Sequence, residues 1–158
     1  MNDQLYRPCV GVALYNPLGL IFAGRRNDVA TGGWQMPQGG IDPGETPIQA
    51  AMRELSEETG TNKATLLAES TSWHYYDFPA GAGKRWGGKY RGQRQRWFAL
   101  AFTGADTDID LHTDQPEFDS WRWVSPAEMI ELVVGFKRPI YEAVLGEFAS
   151  AVKGLSAK

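Results

Sequence analysis

Residues 39–60 read GGIDPGETPIQAAMRELSEETG, and this stretch predicts a glycine-rich loop that runs into one amphipathic helix. Thr46, Pro47 and Gln49 supply an N-cap, a first-turn proline and the partner of a capping box, and Gly60 provides a left-handed stop. Apolar residues then recur at helical spacing and predict the face that packs on a core: Ile48, Ala51, Met52 and Leu55.

Three glutamates lie on another side of this predicted helix. At about 100° per residue, Glu54, Glu57 and Glu58 centre roughly 110° around the helix from the apolar stripe, so they face a cleft or solvent. Their carboxylates repel one another, and the lysines that commonly relieve such repulsion at i+4 are replaced by Thr61 and Asn62. A cluster of this kind needs a cation.

The segment before the helix favours a binding site over an ordinary solvated acidic face. WQMPQGGIDPGE at 34–45 holds two adjacent glycines and two prolines, which fix an unusual backbone path into the first turn. The spacing of the whole region resembles the Nudix box, Gly-x5-Glu-x7-Arg-Glu-U-x-Glu-Glu-x-Gly-U, in which U is a bulky aliphatic residue. Thr61 at the last U position departs from that pattern. The matching residues are Gly39, Glu45, Arg53, Glu54, Leu55, Glu57, Glu58 and Gly60.

The resemblance implies an α/β fold, the Nudix α/β/α sandwich with a mixed β-sheet, and hydrolysis of phosphoanhydride bonds. That reaction needs phosphate oxygens neutralised and water activated, which Mg²⁺ held by carboxylates can provide, with Mn²⁺ as a substitute. By resemblance, Glu57 and Glu58 are the central metal ligands, Glu54 is a further ligand, and the Gly39 carbonyl is another.

The resemblance also implies roles for residues around these ligands. Glu45 and Arg53 are similar to the structural pair that orients the loop and helix of the box. The general base in such enzymes is a box glutamate, here Glu57 or Glu54, or a glutamate from a distant loop. Glu117 in QPEFDSWRWVSP is the external candidate, as a metal ligand or as the base.

Further segments narrow the resemblance to one branch of the family. Over roughly residues 6–150 the chain is similar to bacterial RNA 5′-pyrophosphohydrolases and to the related diadenosine tetraphosphate hydrolases. The segments that carry this likeness are YRPCVG, WQMPQGGI, GQRQRWF, PEFDSWRWVS and FKRPIYEAV.

This branch implies a substrate that joins a polyphosphate to a nucleoside. Cationic side chains, including the basic stretch from Lys84 to Arg96, would meet the phosphates, and aromatic rings would stack on a base. Arg26, Phe136 and Lys137 are expected at the first nucleotides. The candidate substrate contacts are Arg7, Arg26, Tyr76, Lys84, Phe136 and Lys137.

Four functions share this sequence evidence. The leading interpretation is conversion of 5′-triphosphorylated or diphosphorylated RNA to 5′-monophosphorylated RNA, and the runner-up is asymmetric hydrolysis of diadenosine tetraphosphate to ATP and AMP. Cleansing of oxidised nucleoside triphosphates would want a closed base pocket, whereas the long basic run suits an extended ligand. A non-catalytic nucleotide-sensing domain ranks low because the box carboxylates are all present.

The whole chain agrees with a cytoplasmic enzyme of one domain, residues 1–158. Its 158 residues and 42% hydrophobic content suit a single globular core. The sequence has neither a signal peptide nor an apolar run of about 20 residues, so we expect no membrane association. The lone Cys9 is expected in a buried strand, and no stable protein partner is predicted.

Periodicity and turn signals predict the remaining elements. Strands are expected at 10–15, after a turn at 16–19, at 66–78, at 95–102 and at 120–124. Ser125, Pro126 and Glu128 predict a second capping box and a short helix, and Pro139 begins another helix. Trp34, Trp97, Trp121 and Trp123 are expected to pack in the core or along strands rather than to bind bases.

Overall fold

The computed structural model describes residues 3–27, 33–78, 89–113 and 116–156. Within these ranges the chain forms eight strands and three α-helices, joined in part by short 3-10 turns at Asp3–Leu5, Asp106–Asp108 and Gly135–Lys137. The strands are β1 (Tyr6–Tyr15), β2 (Ile21–Arg26), β3 (Trp34–Gln35), β4 (Gln38–Gly40), β5 (Ala64–Glu69), β6 (His74–Asp77), β7 (Gly92–Phe102) and β8 (Phe118–Val124). The helices are α1 (Pro47–Thr59), α2 (Pro126–Leu132) and α3 (Arg138–Ser156).

The sheet is mixed, as the sequence predicts. β1 and β7 run parallel, from Tyr6 opposite Gly92 to Tyr15 opposite Ala101. The other strand pairs are antiparallel: β4 and β2 pair with β1, β5 and β6 pair with β7, and β3 and β8 pair with β2. The parallel pair therefore forms the centre on which the shorter strands are arranged.

Helices cover both faces of this sheet, which confirms the α/β/α sandwich. Side chains alternate along a strand, so Val10, Val12 and Leu14 of β1 belong to one core, with residues of α1. Ala13 and Tyr15 belong to the other, with residues of α2 and α3. Helix α3 buries an apolar stripe at helical spacing: Tyr141, Val144, Leu145, Phe148 and Val152.

The tryptophans expected in the core do pack there. Trp97 is fully buried. Trp34 packs against the core beside α3, and Trp121 and Trp123 pack against the core beside α1. Among the helices in the described ranges, none is both long and apolar enough to span a membrane.

The strand expected at 66–78 is wrong as a single element. β5 ends at Glu69, and β6 begins only at His74. Between them Ser70 Oγ donates to the Ser72 carbonyl (3.0 Å), and the Thr71 N–H donates to a carboxylate oxygen of Glu147 in α3 (2.8 Å). These hydrogen bonds replace regular strand pairing in the segment between β5 and β6.

The start of α2 shows one of the two bonds of the predicted capping box. The Glu128 N–H donates to Ser125 Oγ over 3.1 Å. The Glu128 carboxylate lies 3.6 Å from a guanidinium nitrogen of Arg122. A side-chain hydroxyl thus caps this helix, while the glutamate has a cationic neighbour on β8.

Gly11 and Gly146 provide a matched test of the packing between the two central strands. A Cβ at Gly11 would lie 2.5 Å from atoms of the Trp97 ring, whereas a Cβ at Gly146 in α3 would have no atom within 4 Å. We expect Gly11→Ala to lower the free energy of unfolding by about 1–3 kcal/mol through overpacking. Gly146→Ala should raise it by up to about 1 kcal/mol through helix propensity.

Urea unfolding of the two variants and the parent checks these values. Parental stability of Gly11→Ala would contradict the close approach of Trp97 to the backbone of β1.

Candidate active site

Helix α1 begins and ends as its sequence predicts. The Gln49 N–H donates to Thr46 Oγ (3.3 Å), and the Thr46 N–H donates to Gln49 Oε1 (2.9 Å), so the capping box is complete. Gly60 ends the helix with φ of 77°, in the left-handed region that favours glycine. Both ends of the helix are therefore fixed, and the direction in which its glutamates project is fixed with them.

Arg53 ties this helix to the loop before it. Its Nε and Nη2 donate to the two oxygens of Glu45, at 2.8 and 3.0 Å, and Nη2 also donates to the Gly40 carbonyl (2.8 Å). Its Nη1 donates to Glu54 (2.8 Å) and to Glu57 (3.2 Å). One guanidinium group thus holds the loop and orients two of the three box carboxylates.

Glu58 is the most buried of the three glutamates, with 4% of its surface exposed. One carboxylate oxygen accepts the Gln38 N–H over 3.0 Å. Burial raises the pKa of Glu58 well above its ordinary value, and the nearby charges of Glu54 and Glu117 raise it further. Burial also raises the pKa of Glu54, although Arg53 opposes that shift. Burial and neighbouring carboxylates therefore oppose the ionisation of these glutamates.

The two glycines of β4 let charged groups approach the backbone from both sides. A Cβ at Gly39 would collide with the carboxylate of Glu54, and a Cβ at Gly40 would collide with the guanidinium of Arg7. The sequence assigns the Gly39 carbonyl a role as ligand, and the structure places this glycine directly against Glu54. The backbone of β4 thus has a carboxylate against one side and a guanidinium group against the other.

Glu117 reaches this cluster from a distant part of the chain. Its backbone carbonyl accepts the Asn27 N–H over 3.0 Å, which joins the segment before β8 to the end of β2. Its side chain is exposed, and its charge raises the pKa of both Glu54 and Glu58. The residue nominated from outside the box thus lies within electrostatic reach of the box carboxylates.

The donor set fits a hard divalent cation. Glu54, Glu57, Glu58 and Glu117 offer carboxylate oxygens, which Mg²⁺ prefers, and a cation would relieve their mutual repulsion. Among the described residues, no three His, Cys, Asp or Glu side chains are already gathered as a metal-holding group. Arg53 binds one oxygen of Glu54 and one oxygen of Glu57.

Aromatic and cationic candidates meet on a second side of the site. The rings of Tyr76 and Phe136 lie 5.5 Å apart at an interplanar angle of 49°, and Phe136 is 44% exposed. Burial raises the pKa of Tyr76, and the charges of Arg7 and Arg26 oppose this rise, which places both guanidinium groups near that ring. Lys137 follows Phe136 in the same 3-10 turn, and Lys84 lies outside the described residues.

Three arginines of the expected basic stretch have partners of their own. Arg91 pairs with Asp77 (2.7 Å), and Arg96 pairs with Glu69 (2.9 Å). The guanidinium of Arg94 lies 4.4 Å from the centre of the Trp73 ring. Arg91 and Arg96 thus share their charge with carboxylates and Arg94 lies against an indole ring, while a role of the basic stretch in phosphate binding stays a prediction.

Sequence reasoning missed a network of buried glutamines. Gln95 Nε2 donates to Gln93 Oε1 (3.0 Å) and lies 3.5 Å from Gln38 Oε1, while Trp97 Nε1 donates to Gln95 Oε1 (3.0 Å). Gln38 also supplies the backbone N–H bound by Glu58. Gln93, Gln95 and Trp97 alternate in GQRQRWF, and this pattern predicts one strand face with polar side chains. The arginines between them suggested a phosphate-binding stretch instead.

Two solved structures share the fold of this chain. An Escherichia coli dihydroneopterin triphosphate pyrophosphohydrolase has a TM-score of 0.69 at 21% identity, covering 88% of this chain and 96% of that one. A Caenorhabditis elegans Ap4A hydrolase in a binary complex has a TM-score of 0.67 at 18% identity, covering 91% of this chain and 98% of that one. At these identities the likeness shows the fold alone.

The family follows from sequence. The NUDIX domain model matches residues 5–144, and the chain belongs to the Nudix family, whose hydrolases generally use divalent metal ions. Curated relatives named RNA pyrophosphohydrolase, from Rickettsia typhi and Rickettsia prowazekii, are each 51% identical over 152 residues. These matches cover 96% of this chain and 94% of each relative.

The ion pair between Arg53 and Glu45 forms a charged clamp between the helix and the loop. Replacing Glu45 tests this clamp through the pH dependence of stability. Hydrogen bonds from Arg53 and then from the Asp42 N–H lower the pKa of Glu45 from 4.5 to about 2. Because the folded-state pKa is the lower one, the ionised pair stabilises the protein above about pH 4.5 and loses this effect as pH falls towards 2. We expect Glu45→Gln to be less stable than the parent at pH 7, with the difference shrinking below pH 4.5.

Denaturant unfolding between pH 3 and 7 measures this difference. Glu142→Gln, at an exposed position of α3, is the matched control and should follow the parent at every pH. A stability difference for Glu45→Gln that stayed constant with pH would count against the charged clamp.

Proposed function

We propose that this chain is a Mg²⁺-dependent pyrophosphohydrolase that converts 5′-triphosphorylated or diphosphorylated RNA to 5′-monophosphorylated RNA, releasing pyrophosphate or phosphate. The observation that carries the proposal is the full set of box glutamates on α1, together with an aromatic and cationic surface formed by Tyr76, Phe136 and Lys137. The relatives that are 51% identical over nearly the whole chain and are named RNA pyrophosphohydrolase add direct support.

The carboxylate side of the site would break the bond. Glu54, Glu57, Glu58 and the Gly39 carbonyl would hold the cation, with Glu117 approaching from the loop before β8. A bound Mg²⁺ would supply charge neutralisation for the phosphates and make water easier to ionise.

Proton removal falls to a glutamate with access to solvent. Glu57 and Glu117 are both exposed, whereas Glu58 is buried against Gln38. Glu57 or Glu117 can therefore accept a proton from the attacking water, and Glu54 is the third candidate because it lies in the same cluster. Arg53 would hold the helix and loop in place while these groups act.

The other side of the site would select the substrate. Arg7 and Arg26 lie near Tyr76 and can meet phosphates that extend from the cation. Tyr76 and the exposed ring of Phe136 offer a stacking surface for a base. Lys137 adds a positive charge next to that ring, and Lys84 is a further proposed contact.

Hydrolysis of dinucleoside polyphosphates is the second candidate. The adenine of such a molecule could stack on the Tyr76 and Phe136 rings as well as the first base of an RNA could, because stacking does not require a particular base. The same carboxylates would serve both reactions. A non-catalytic sensing role is disfavoured, since every carboxylate of the box is present.

Turnover of three substrate classes on one preparation tests the proposal. We expect triphosphorylated RNA to be cleaved with a higher kcat/KM than diadenosine tetraphosphate or mononucleoside triphosphates. A Glu57→Gln/Glu58→Gln double variant should lose at least about 100-fold in kcat, because neutral amides bind Mg²⁺ poorly. Much faster cleavage of mononucleotides would reject the RNA assignment, and full turnover by the double variant would reject the mechanism.

Phe136→Ala tests the stacking surface separately from the metal site. Loss of one base–aromatic contact should raise KM for short triphosphorylated RNA about tenfold while leaving Mg²⁺ affinity unchanged. Leu18→Ala removes another exposed apolar side chain, 76% exposed in the turn after β1, and is the matched control. Parental kinetics for Phe136→Ala would remove this ring from the substrate site.

A further inference from the structure

Lys137 is a buried cation beside the exposed stacking ring. It has 5% of its surface exposed, although the preceding Phe136 is 44% exposed. Its Nζ donates a hydrogen bond to Gln35 Oε1 over 3.2 Å, and Gln35 is itself only 6% exposed. Burying an ammonium group costs free energy unless the group is hydrogen-bonded. The bond to Gln35 therefore stabilises Lys137 in its buried position.

Two consecutive residues hold the start of α3. Gln35 accepts from Lys137, and the Met36 N–H donates to Tyr141 Oη over 3.0 Å. Lys137 and Tyr141 are four residues apart, which corresponds to about one helical turn. Gln35 also pairs with Gly24 of β2 in the sheet, which fixes the backbone of Gln35.

The Lys137 ammonium acts electrostatically on the buried thiol of Cys9. Cys9 is fully buried, and burial raises its pKa to about 11; the charges of Arg7, Glu54 and Lys137 also act on this thiol. Lys137 therefore shares an electrostatic neighbourhood with a box carboxylate and with a candidate phosphate contact. The Lys137 Nζ lies 5.9 Å from the centre of the Phe136 ring, so a cation held here lies beside the proposed stacking surface.

We infer that Gln35 is a positioning residue, whose neutral amide holds the Lys137 ammonium towards the polyphosphate or first base of the substrate without neutralising it. The inference rests on the proposed function. A glutamate of the same shape at this position would form an ion pair with Lys137 and remove the charge that an anionic substrate needs. An aliphatic side chain would leave the ammonium without this acceptor.

The test compares Gln35→Glu and Gln35→Met in the parent and in a Lys137→Met background. In the parent background, we expect each change to raise KM for triphosphorylated RNA, with Gln35→Glu raising it about tenfold and kcat changing less. In the Lys137→Met background, Gln35→Met should not alter KM by more than about twofold, because a positioning residue has nothing left to position. A merely structural role would give the same effect in both backgrounds.

Ser150→Glu adds a negative charge on the exposed face of α3 and is the control for net charge. Thermal unfolding identifies any variant that fails to fold, in which case the other Gln35 variant decides the question. If the parent does not hydrolyse triphosphorylated RNA, the proposed function fails. If the parent does so and the folded Gln35 variants keep the parental KM, or change it equally without Lys137, the inference alone is overturned.

Discussion

The site depends on one guanidinium group. Arg53 binds both oxygens of Glu45 and the Gly40 carbonyl, and the same side chain binds Glu54 and Glu57. Its planar fork can make such parallel bonds in a fixed geometry, which a lysine could not do. The loop and the helix of the Nudix box are therefore one rigid unit, and the carboxylates leave it in set directions.

Residues 35–40 connect that unit to the start of α3. Gln35 and Met36 bind Lys137 and Tyr141 at the start of α3, while Gln38 binds Glu58 of α1. The two glycines that follow bring Glu54 and Arg7 against opposite sides of the strand. Candidate metal ligands and candidate substrate contacts are thus positioned from a single short segment, so a displacement of that segment would disturb both.

Local signals in the sequence predicted what is locally determined. The caps of α1, its apolar stripe and the spacing of its glutamates follow from interactions within a few residues, and the structure confirms their geometry. Long-range pairing decided what the sequence could not give. Glu147 accepts the Thr71 N–H from 76 residues away and interrupts the expected strand, and carboxylates of neighbouring strands pair with Arg91, just before β7, and with Arg96 of β7. The glutamine network depends likewise on which strands become neighbours.

Burial makes the ionised form of Glu58 unfavourable, and the same burial would strengthen the attraction between its carboxylate and a bound cation. Without a cation, burial and neighbouring charges raise its pKa and oppose the ionised form. The low effective dielectric that imposes this penalty also strengthens the attraction between a carboxylate and a cation. Arg53 offsets part of the repulsion at Glu54 and Glu57, and the Gln38 N–H offsets part at Glu58. The remaining negative charge is what a divalent ion would satisfy, so the local instability of the cluster and its proposed affinity for metal would have the same physical origin.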